Sequence, residues 1–148
     1  MALDRALVGR SYPPSGMYEV GRAKIAEFAT AIGDDSPVYR DAEVARAAGH
    51  PDVVAPPTFA IVVTMDAAGV VLADPEVGLD FSRVVHGDQK FVHHRPIRAG
   101  DRLVSTATID GARSVAGNDL LTTRVDVADE AGEPVCTAVM TLVARGTA

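Results

Sequence analysis

Two neighbouring carboxylates stand in a short polar stretch that could carry acid–base chemistry. Asp34 and Asp35 are followed directly by Ser36-Pro37, and the phenol of Tyr39 comes two residues later. A proline disfavours the helical conformation of the residue before it, so we expect the chain to turn at Ser36. A stiff turn beside a packed helix can hold a general acid or base in place. The alternative is that both aspartates are solvated turn residues.

A second polar pair lies far along the chain, at His86 and Asp88. These residues are two positions apart in a segment that reads as extended, so their side chains can face the same side of a strand. At a subunit interface they could meet a partner's active site or form a replacement catalytic dyad, and the alternative is a hydrogen-bonded structural pair. His93 and His94 are adjacent and point to opposite faces, so we expect no metal site there.

The size and charge of the chain limit the kinds of function it can have. It has 148 residues and a formal net charge of -6, and we expect a single domain over 1–148 without a basic stripe for nucleic acid. The single cysteine, Cys136, excludes a disulfide framework and is typical of a reducing cytoplasm. The first residues lack the pattern of a signal peptide, and the apolar run over 59–73 is too short for a membrane span. We therefore expect a cytoplasmic protein.

The helices that must position these residues can be read from apolar periodicity. Apolar residues at positions 25, 28, 29 and 32 recur at helical spacing and predict a helix over Arg22–Ile32. Asp41 is the predicted N-cap of a short helix over Ala42–Ala48. The stretch from Thr58 to Leu72 is apolar on nearly every side, and its length predicts a helix. A helix without a polar side should be buried all round.

The second half of the sequence has the period of β-strands. Five segments are predicted to be extended: Phe81–His86, Lys90–His94, Arg102–Asp110, Leu120–Ala128 and Val135–Val143. The last is apolar on both faces, which indicates a central strand covered on two sides. Turns at Asp110-Gly111, 115–119 and 129–133 join consecutive strands at hairpin spacing.

Together these patterns predict an α+β protein in which a curved antiparallel sheet wraps one long buried helix, which is the hot-dog fold. The face of the sheet turned away from the helix needs a cover of its own. A second sheet joined edge to edge, or a partner subunit, would supply it, so we expect a dimer.

Three stretches of the sequence resemble one known family. The run from Gly33 to Tyr39 is similar to the Gly-Asp-x-Asn-Pro-x-His signature of the MaoC-like (R)-specific enoyl hydratases and (3R)-hydroxyacyl dehydratases. The run 85–97 with Ala99-Gly100-Asp101 resembles a strand and a Pro-x-x-x-Gly-Asp turn of that family, and Val-Ala-Pro-Pro-Thr-Phe at 54–59 sharpens the match. The resemblance covers roughly residues 5 to 144 and is to an actinobacterial branch. That branch includes the auxiliary, substrate-binding subunits of hydroxyacyl-carrier-protein dehydratases.

The resemblance implies a catalytic arrangement from which this sequence departs. In catalytic members the aspartate and histidine of the signature activate a water, and a backbone N–H from a His-Gly pair at the start of the central helix binds the thioester oxygen. Asp34 matches the aspartate, whereas Tyr39 stands at the histidine position and Ser36 replaces the asparagine. A neutral tyrosine is a poor base. Pro56-Pro57 stands where the His-Gly pair would be, and a proline has no N–H to donate.

The resemblance thus implies a component of a (3R)-hydroxyacyl-ACP or -CoA dehydratase that binds substrate while a MaoC-like partner supplies the intact Asp and His. The alternative is a non-catalytic homodimeric hot-dog module that binds acyl thioesters or another apolar ligand. A third hypothesis is a self-sufficient site that uses His86 and Asp34. The catalytic candidates are Asp34, Tyr39, His86 and Asp88. The substrate-binding candidates are Ser36, Pro57, Thr58, Ile61, Met65, Gln89 and Arg95.

The same resemblance implies the cofactors and partners. We expect no metal and no organic cofactor, and an acyl group carried on coenzyme A or on an acyl carrier protein. Lys90, Arg95 and Arg98 are candidates to meet the phosphates of coenzyme A or the acidic surface of a carrier protein, and a solvated basic cluster is the alternative. The protein partner would be a MaoC-like catalytic subunit or a second copy of this chain.

Overall fold

Three helices and five strands make up the computed structural model, which describes residues 3–147. The helices are α1 (Arg22–Ala31), α2 (Ala42–Ala47) and α3 (Ala60–Ala73). The strands are β1 (Tyr18–Glu19), β2 (Val84–His93), β3 (Arg102–Val115), β4 (Asn118–Asp129) and β5 (Pro134–Ala144). Single 3-10 turns lie at Arg5–Leu7, Pro37–Tyr39, Pro57–Phe59 and Phe81–Arg83.

The strands form one antiparallel sheet in the order β1-β3-β4-β5-β2, and α3 packs on its inner face. Buried residues of the helix, Val63, Ala67 and Val71, belong to the same core cluster as alternate residues of the strands, such as Leu121 and Val125. The apolar residues that alternate along the strands therefore pack with those of the helix in one core. The predicted α+β hot-dog architecture is confirmed.

The start of α3 is anchored by an aromatic contact. Phe59 is fully buried, and its ring meets that of Phe28 from α1 edge-on, with centroids 5.5 Å apart at 86°. Edge-to-face packing of this kind adds about 0.5–1.5 kcal/mol to the gain from burial. The contact holds the C-terminal half of α1 against the first turn of the central helix.

The predicted boundaries of β2 and β3 were wrong. β2 is one strand over Val84–His93, whereas the sequence predicted two separate extended segments, and residues 81–83 form a 3-10 turn. Polar residues at 86–90 hid the continuity of β2, because this strand lies at the edge of the sheet and half of it faces solvent. The turn predicted at Asp110-Gly111 is instead a register shift within β3, which continues to Val115.

The predicted burial of α3 and β5 was also wrong for the single chain. Met65 and Val70 on α3 are 51% and 47% exposed, so one side of the helix lies open. β5 lies between β4 and β2 as an interior strand, but only its inner face is buried and the outer-face Val139 and Val143 are half-buried. The exposed side of α3 also carries Asp66 and Gly69, so Met65 and Val70 are separate exposed apolar residues at its two margins.

An N-terminal segment covers the outer edge of β3. The N–H of Gly9 donates to the carbonyl of Ile109 at 2.8 Å, the N–H of Tyr12 to Ala107 at 3.0 Å and the N–H of Ser15 to Ser105 at 2.8 Å. Within residues 3–147, the strand pairing of β2 is with β5 alone. One edge of the sheet is thus protected and the other is open.

Candidate functional site

The aspartate turn begins where α1 ends. Gly33 has φ +75°, and the N–H of Asp34 donates to the carbonyl of Ala29 at 2.9 Å, which closes the helix. A carboxylate oxygen of Asp34 then accepts the N–H of Ser36 at 3.1 Å, and Pro37–Tyr39 forms a 3-10 turn. The predicted turn is present, and it fixes the half-buried Asp34 carboxylate relative to the backbone.

Arg40 holds this turn from outside. Its guanidinium donates to the carbonyl of Asp34 at 2.8 Å, to the carbonyl of Ser36 at 3.2 Å and to the hydroxyl of Thr30 at 3.1 Å. The five donors of an arginine allow one side chain to bridge α1 and the turn in this way. Sequence reasoning missed Arg40, because a cation beside two acids is read first as a solvated charge.

Tyr39 shares the environment of Asp34 but cannot act as a base. Burial and the negative charge of Asp34 both raise the pKa of the Tyr39 phenol above its ordinary value. The hydroxyl therefore stays protonated at neutral pH and can only donate or accept a hydrogen bond. No base stands at the position at which catalytic members of the resembled family carry histidine.

Backbone contacts bring the turn next to the start of α3. The N–H of Val54 donates to the carbonyl of Val38 at 3.1 Å, and the N–H of Ala55 donates to the carbonyl of Ile97 at 2.7 Å. The aspartate turn, the segment before Pro57 and the loop after β2 therefore meet. This is where the family resemblance places a thioester.

At the first turn of α3 the usual donor is missing. Pro57 has no N–H, and the N–H of Phe59 is used by the carbonyl of Pro56 at 2.9 Å. No side chain caps this end of the helix. Thr58, which is exposed, provides the first N–H of the turn after the two prolines.

His93 reaches this turn from β2. Its Nε2 lies 2.9 Å from the carbonyl oxygen of Pro57, and because a carbonyl oxygen only accepts, Nε2 carries the proton. In the neutral ring Nδ1 is then an acceptor, and it lies buried with no hydrogen-bond partner among the described residues. Sequence analysis considered His93 only as a metal ligand and missed this contact, which joins residues 36 positions apart.

A cavity of about 350 Å³ opens beside this contact. Its walls are Ala55, Pro57, Pro96 and Ile97 on the apolar side, with His93, His94 and Arg95 on the polar side. A volume of this size and a mixture of apolar wall with few polar groups are typical of small-molecule sites. The cavity lies at the C-terminal end of β2, beside the turn that precedes α3.

Arg95 does not present a free charge to the cavity. Its guanidinium makes two hydrogen bonds to the buried carboxylate of Asp101, at 2.8 and 2.9 Å, and Asp129 lies 3.6 Å away. The Asp101 bonds raise the pKa of Arg95, and its charge is compensated inside the protein. Arg95 thus stiffens the cavity wall, and its predicted contact with a substrate phosphate remains a prediction.

His86 and Asp88 do not face the same side of the strand. His86 pairs with Leu142 and Asp88 with Thr141, which lie on opposite faces of β5, because a bulge at Gly87 shifts the register. The His86 ring contacts the backbone carbonyl of Asp88 at 3.1 Å and not its carboxylate. His86 also lies seven residues from His93 along β2, roughly 23 Å at about 3.3 Å per residue. The prediction that this pair shares a face was wrong.

The other substrate-binding candidates lie at varying depth along α3 and β2. Ser36 and Ile61 are half-buried, and Met65 is on the open side of α3. Gln89 is on the inner face of β2, opposite the buried Met140, and its buried side-chain carbonyl oxygen has no hydrogen-bond donor among residues 3–147.

Other reactive groups are not arranged for chemistry. Cys136 is opposite His93 in the sheet, but burial raises the pKa of its thiol to about 11, so it stays protonated and is a poor nucleophile. Within residues 3–147 no group of three His, Cys, Asp or Glu side chains could hold a metal ion. In the same part of the chain no helix is both long and apolar enough to span a membrane.

Comparison with known proteins gives the same family by sequence. The model of a family described as FAS1-like, dehydratase domain region, matches residues 6–138. A UPF0336 protein of Streptomyces coelicolor is 64% identical over 145 residues, which cover 98% of this chain and 97% of the relative. A UPF0336 protein of Saccharopolyspora erythraea is 59% identical over 148 residues, covering 100% and 95%.

Solved structures share the fold. A MaoC-like dehydratase superimposes with a TM-score of 0.88 at 37% identity over 95% of this chain, which spans 42% of that longer chain. The C-terminally truncated HadBC (3R-hydroxyacyl-ACP dehydratase) complex from Mycobacterium tuberculosis has a TM-score of 0.83 at 32% identity, covering 93% and 96%. The ChsH1-ChsH2 complex from the same organism, at 24% identity over 91% and 88%, has the same fold with a TM-score of 0.71.

The match to the family model over most of the chain, the close relatives and the shared fold agree with the MaoC-like resemblance of the sequence. The chain therefore belongs to the family of FAS1-like dehydratase domain regions, as a dehydratase-like hot-dog domain related to HadBC.

Proposed function

We propose that this chain is the substrate-binding component of a (3R)-hydroxyacyl-thioester dehydratase. The observation that carries the proposal is the start of α3, where Pro57 removes the N–H of an oxyanion site and His93 occupies the adjacent carbonyl. The cavity beside this turn is retained, while the groups that would stabilise charge on a thioester oxygen are not. Binding without independent turnover fits this combination.

The acid–base groups of the site support the same proposal, in which this chain binds substrate and a partner supplies the catalytic residues. Asp34 is kept on its turn, but the neighbouring Tyr39 is held in its protonated form. Removing one oxyanion donor costs on the order of a hundredfold or more in rate. Without the histidine and without that donor, the chain alone would hydrate an enoyl thioester far more slowly than a complete site.

A second hot-dog chain would supply the missing groups. HadBC and ChsH1-ChsH2, which share this fold, are both complexes. Within residues 3–147, the edge of β2 is open and Met65 of α3 is exposed. A MaoC-like partner with an intact Asp and His could bind there and carry out the chemistry. The acyl group, on coenzyme A or on a carrier protein, would enter the cavity beside the first turn of α3.

Hydration of crotonyl-coenzyme A tests the proposal. The chain is assayed alone and mixed with a MaoC-like subunit that retains both catalytic residues, and binding of a long-chain acyl-coenzyme A is followed by calorimetry. We expect little turnover alone, faster turnover in the mixture than with the MaoC-like subunit alone, and no effect of Asp34→Asn in this chain. Robust turnover by the chain alone that Asp34→Asn abolishes would contradict the proposal. Acyl-coenzyme A binding with no turnover by the chain alone, and no gain in the mixture over the MaoC-like subunit alone, would instead identify a pure binding module.

A further inference from the structure

Two arginines lie opposite each other where β2 begins and β5 ends. The last pair of the ladder is Val84 with Ala144, and one position further the N–H of Arg145 donates to the carbonyl of Arg83 at 3.1 Å. The Arg83 guanidinium in turn donates to the carbonyl of Arg145 at 3.3 Å. Side chains of directly opposed residues in antiparallel strands project from the same face, so this end of the sheet holds two positive charges side by side.

The two positive charges are only weakly compensated by acidic groups. Like charges at opposed positions of two strands repel each other. Among residues 3–147 no acid lies within salt-bridge distance of Arg145, and the acid nearest Arg83 is Asp80, with a carboxylate oxygen 3.7 Å from Nε. The Asp80 carboxylate also accepts the N–H of Ser82 at 3.0 Å and its hydroxyl at 2.6 Å. An excess of positive charge therefore persists here, in a chain whose net charge is -6.

A cavity of about 250 Å³ opens at the two arginines. Its walls are Ser82, Arg83, Arg145 and Gly146. Gly146 has φ +68°, and a Cβ added there would lie 3.2 Å from Nη1 of Arg83, so the glycine allows the guanidinium to lie against the chain. The N–H of Gly146 donates to the side-chain oxygen of Asn118 at 3.0 Å, which fixes this wall to the start of β4.

The donors at this cavity suit a phosphate group. A guanidinium carries five N–H donors in a planar fork that matches the oxygens of a phosphate and can bind two of them at once. Arg83 uses a donor for the Arg145 carbonyl, and the Arg145 side chain makes no hydrogen bond to another described residue, so both retain N–H groups to offer. A phosphate carries close to two negative charges at neutral pH, so one ion between the guanidinia would remove their repulsion.

We propose that Arg83 and Arg145 form a binding site for a phosphate dianion, either free or as the terminal group of a phosphate monoester. Ser82 and Gly146 form the remaining walls of the site. Arg83 stands ten positions before His93 along the chain that forms β2, roughly 33 Å at about 3.3 Å per residue. The site is therefore separate from the cavity beside α3, and the proposal does not rest on the dehydratase function.

Titration of the full chain with inorganic phosphate tests the site. Affinity is measured by calorimetry at about pH 8, where phosphate is mostly a dianion, and the amide signals of Arg145 and Gly146 are followed by NMR. We expect both signals to shift. Arg83→Gln and Arg145→Gln should each weaken binding about tenfold, because each removes charge-assisted hydrogen bonds.

Arg102→Gln is the matched control for these two variants. It removes the same charge from an exposed side chain at the other end of the sheet, so phosphate affinity should stay within about twofold of the wild type. Phosphate affinity that falls equally in Arg102→Gln and Arg145→Gln, or that falls in neither, would overturn the proposal, because binding would then not depend on the two opposed arginines.

Asp80→Asn tests the site with the opposite sign. The Asp80 carboxylate competes with a phosphate for Arg83, so an amide in its place should tighten phosphate binding about threefold. Asparagine is also a good cap, so the contact with the N–H of Ser82 should persist. A gain in affinity cannot come from a damaged fold. Unchanged or weaker phosphate binding by Asp80→Asn would contradict a site at Arg83.

Adenosine 5′-phosphate distinguishes the sources of the phosphate. Binding at least as tight as that of inorganic phosphate, and weakened by Arg145→Gln, would support the site and identify the terminal phosphate of a larger molecule as its ligand. Binding of inorganic phosphate alone, weakened in the same way, would support the site and identify the free ion. If neither compound gives saturable binding to the wild type, the proposal is refuted.

Discussion

Single residues decide what the start of α3 can do. Pro57 removes a donor, and the His93 ring donates to the Pro57 carbonyl at 2.9 Å and fixes the tautomer of His93. Nδ1 of that ring has no hydrogen-bond partner among the described residues and lies beside the cavity wall. A ligand hydroxyl or a water that reached it would be bound as a donor, which differs from the stabilisation of an oxyanion. This chemistry supports the proposal that the chain binds a substrate and does not activate it.

The buried hydroxyl of Thr123 lowers the stability of the folded chain. It is 1% exposed on β4, and its hydroxyl has no hydrogen-bond partner among the described residues. Thr123→Val keeps the shape and removes the orphan hydroxyl, so we expect the free energy of unfolding to rise by about 1 kcal/mol in urea denaturation. Thr64→Val is the matched control, because the Thr64 hydroxyl donates to the carbonyl of Ala60 at 2.9 Å and should show no such gain. Equal gains at both positions would contradict the explanation.

At the scale of elements, the N-terminal segment ties the covered sheet edge to the C-terminal end of α3. The hydroxyl of Tyr12 donates to Asp74 at 2.7 Å, and Arg10 donates to both Asp74 and Glu76. The Tyr12 bond, with the Glu76 N–H and Arg10, lowers the pKa of Asp74. Burial and the Asp74 contact raise the pKa of Tyr12 to about 12. The segment and the helix end are therefore electrostatically linked.

This link predicts a pH-dependent effect of Tyr12→Phe. A lowered pKa of Asp74 stabilises the fold above the unfolded pKa of about 3.9, and this contribution is lost as pH falls through the folded pKa. The variant should therefore melt at a lower temperature than wild type at pH 7, and the difference should shrink as the pH falls below about 4. Thermal melts at several pH values measure this. Tyr18→Phe is the control and should show no pH-dependent difference, and a Tyr12→Phe effect that persists unchanged at pH 2 would contradict the link.

Elements with a strong period were predictable from sequence. The 3.6-residue spacing predicts α1, and Asp41 does cap α2 by accepting the N–H groups of Glu43 and Val44. The period of 2 predicts β4 and β5 within a few residues. The prediction for His86 and Asp88 failed because of a bulge at Gly87, which interrupts the alternation of side chains between the two faces of β2. A Cβ added at Gly87 would lie 2.9 Å from a Val143 methyl. Local sequence does not show such a contact, because the partner strand lies over 50 residues away.

The candidate site was predictable only where its residues are close in sequence. The turn with Asp34, Ser36 and Tyr39 forms as expected, because Gly33 and Pro37 act locally. The roles of Arg40 and His93 were missed, since each depends on which backbone carbonyl the fold brings within reach. The sequence shows that Arg40 and His93 are present, but only the tertiary packing determines which carbonyl oxygens accept their hydrogen bonds.

At the scale of the whole molecule, one side of the chain is left for association. The N-terminal segment covers β3, whereas the β2 edge is open and Met65 of α3 is exposed. Met65 stands one and two turns before Ala68 and Leu72, which pack with Met140 of β5 and Val84 of β2, so it lies on the side of α3 nearest this edge. A second copy or a catalytic hot-dog partner bound along β2 would use this side, so a change at Met65 should weaken the binding of either.

Met65→Glu is the change that tests this shared surface. Met65 is 51% exposed on the single chain, so the folded chain should keep its secondary structure and, at low protein concentration, its stability within about 0.5 kcal/mol. Burying the new carboxylate against a second chain without a partner is costly, so both self-association and binding of a MaoC-like subunit should weaken at least about tenfold. Light scattering and calorimetry measure the two constants. Met17→Glu is the matched control, since Met17 is 46% exposed on the N-terminal segment next to β1, at the opposite edge of the sheet from β2. Weakening by Met17→Glu but not by Met65→Glu would place the association surface on the covered edge and refute the use of β2 and α3.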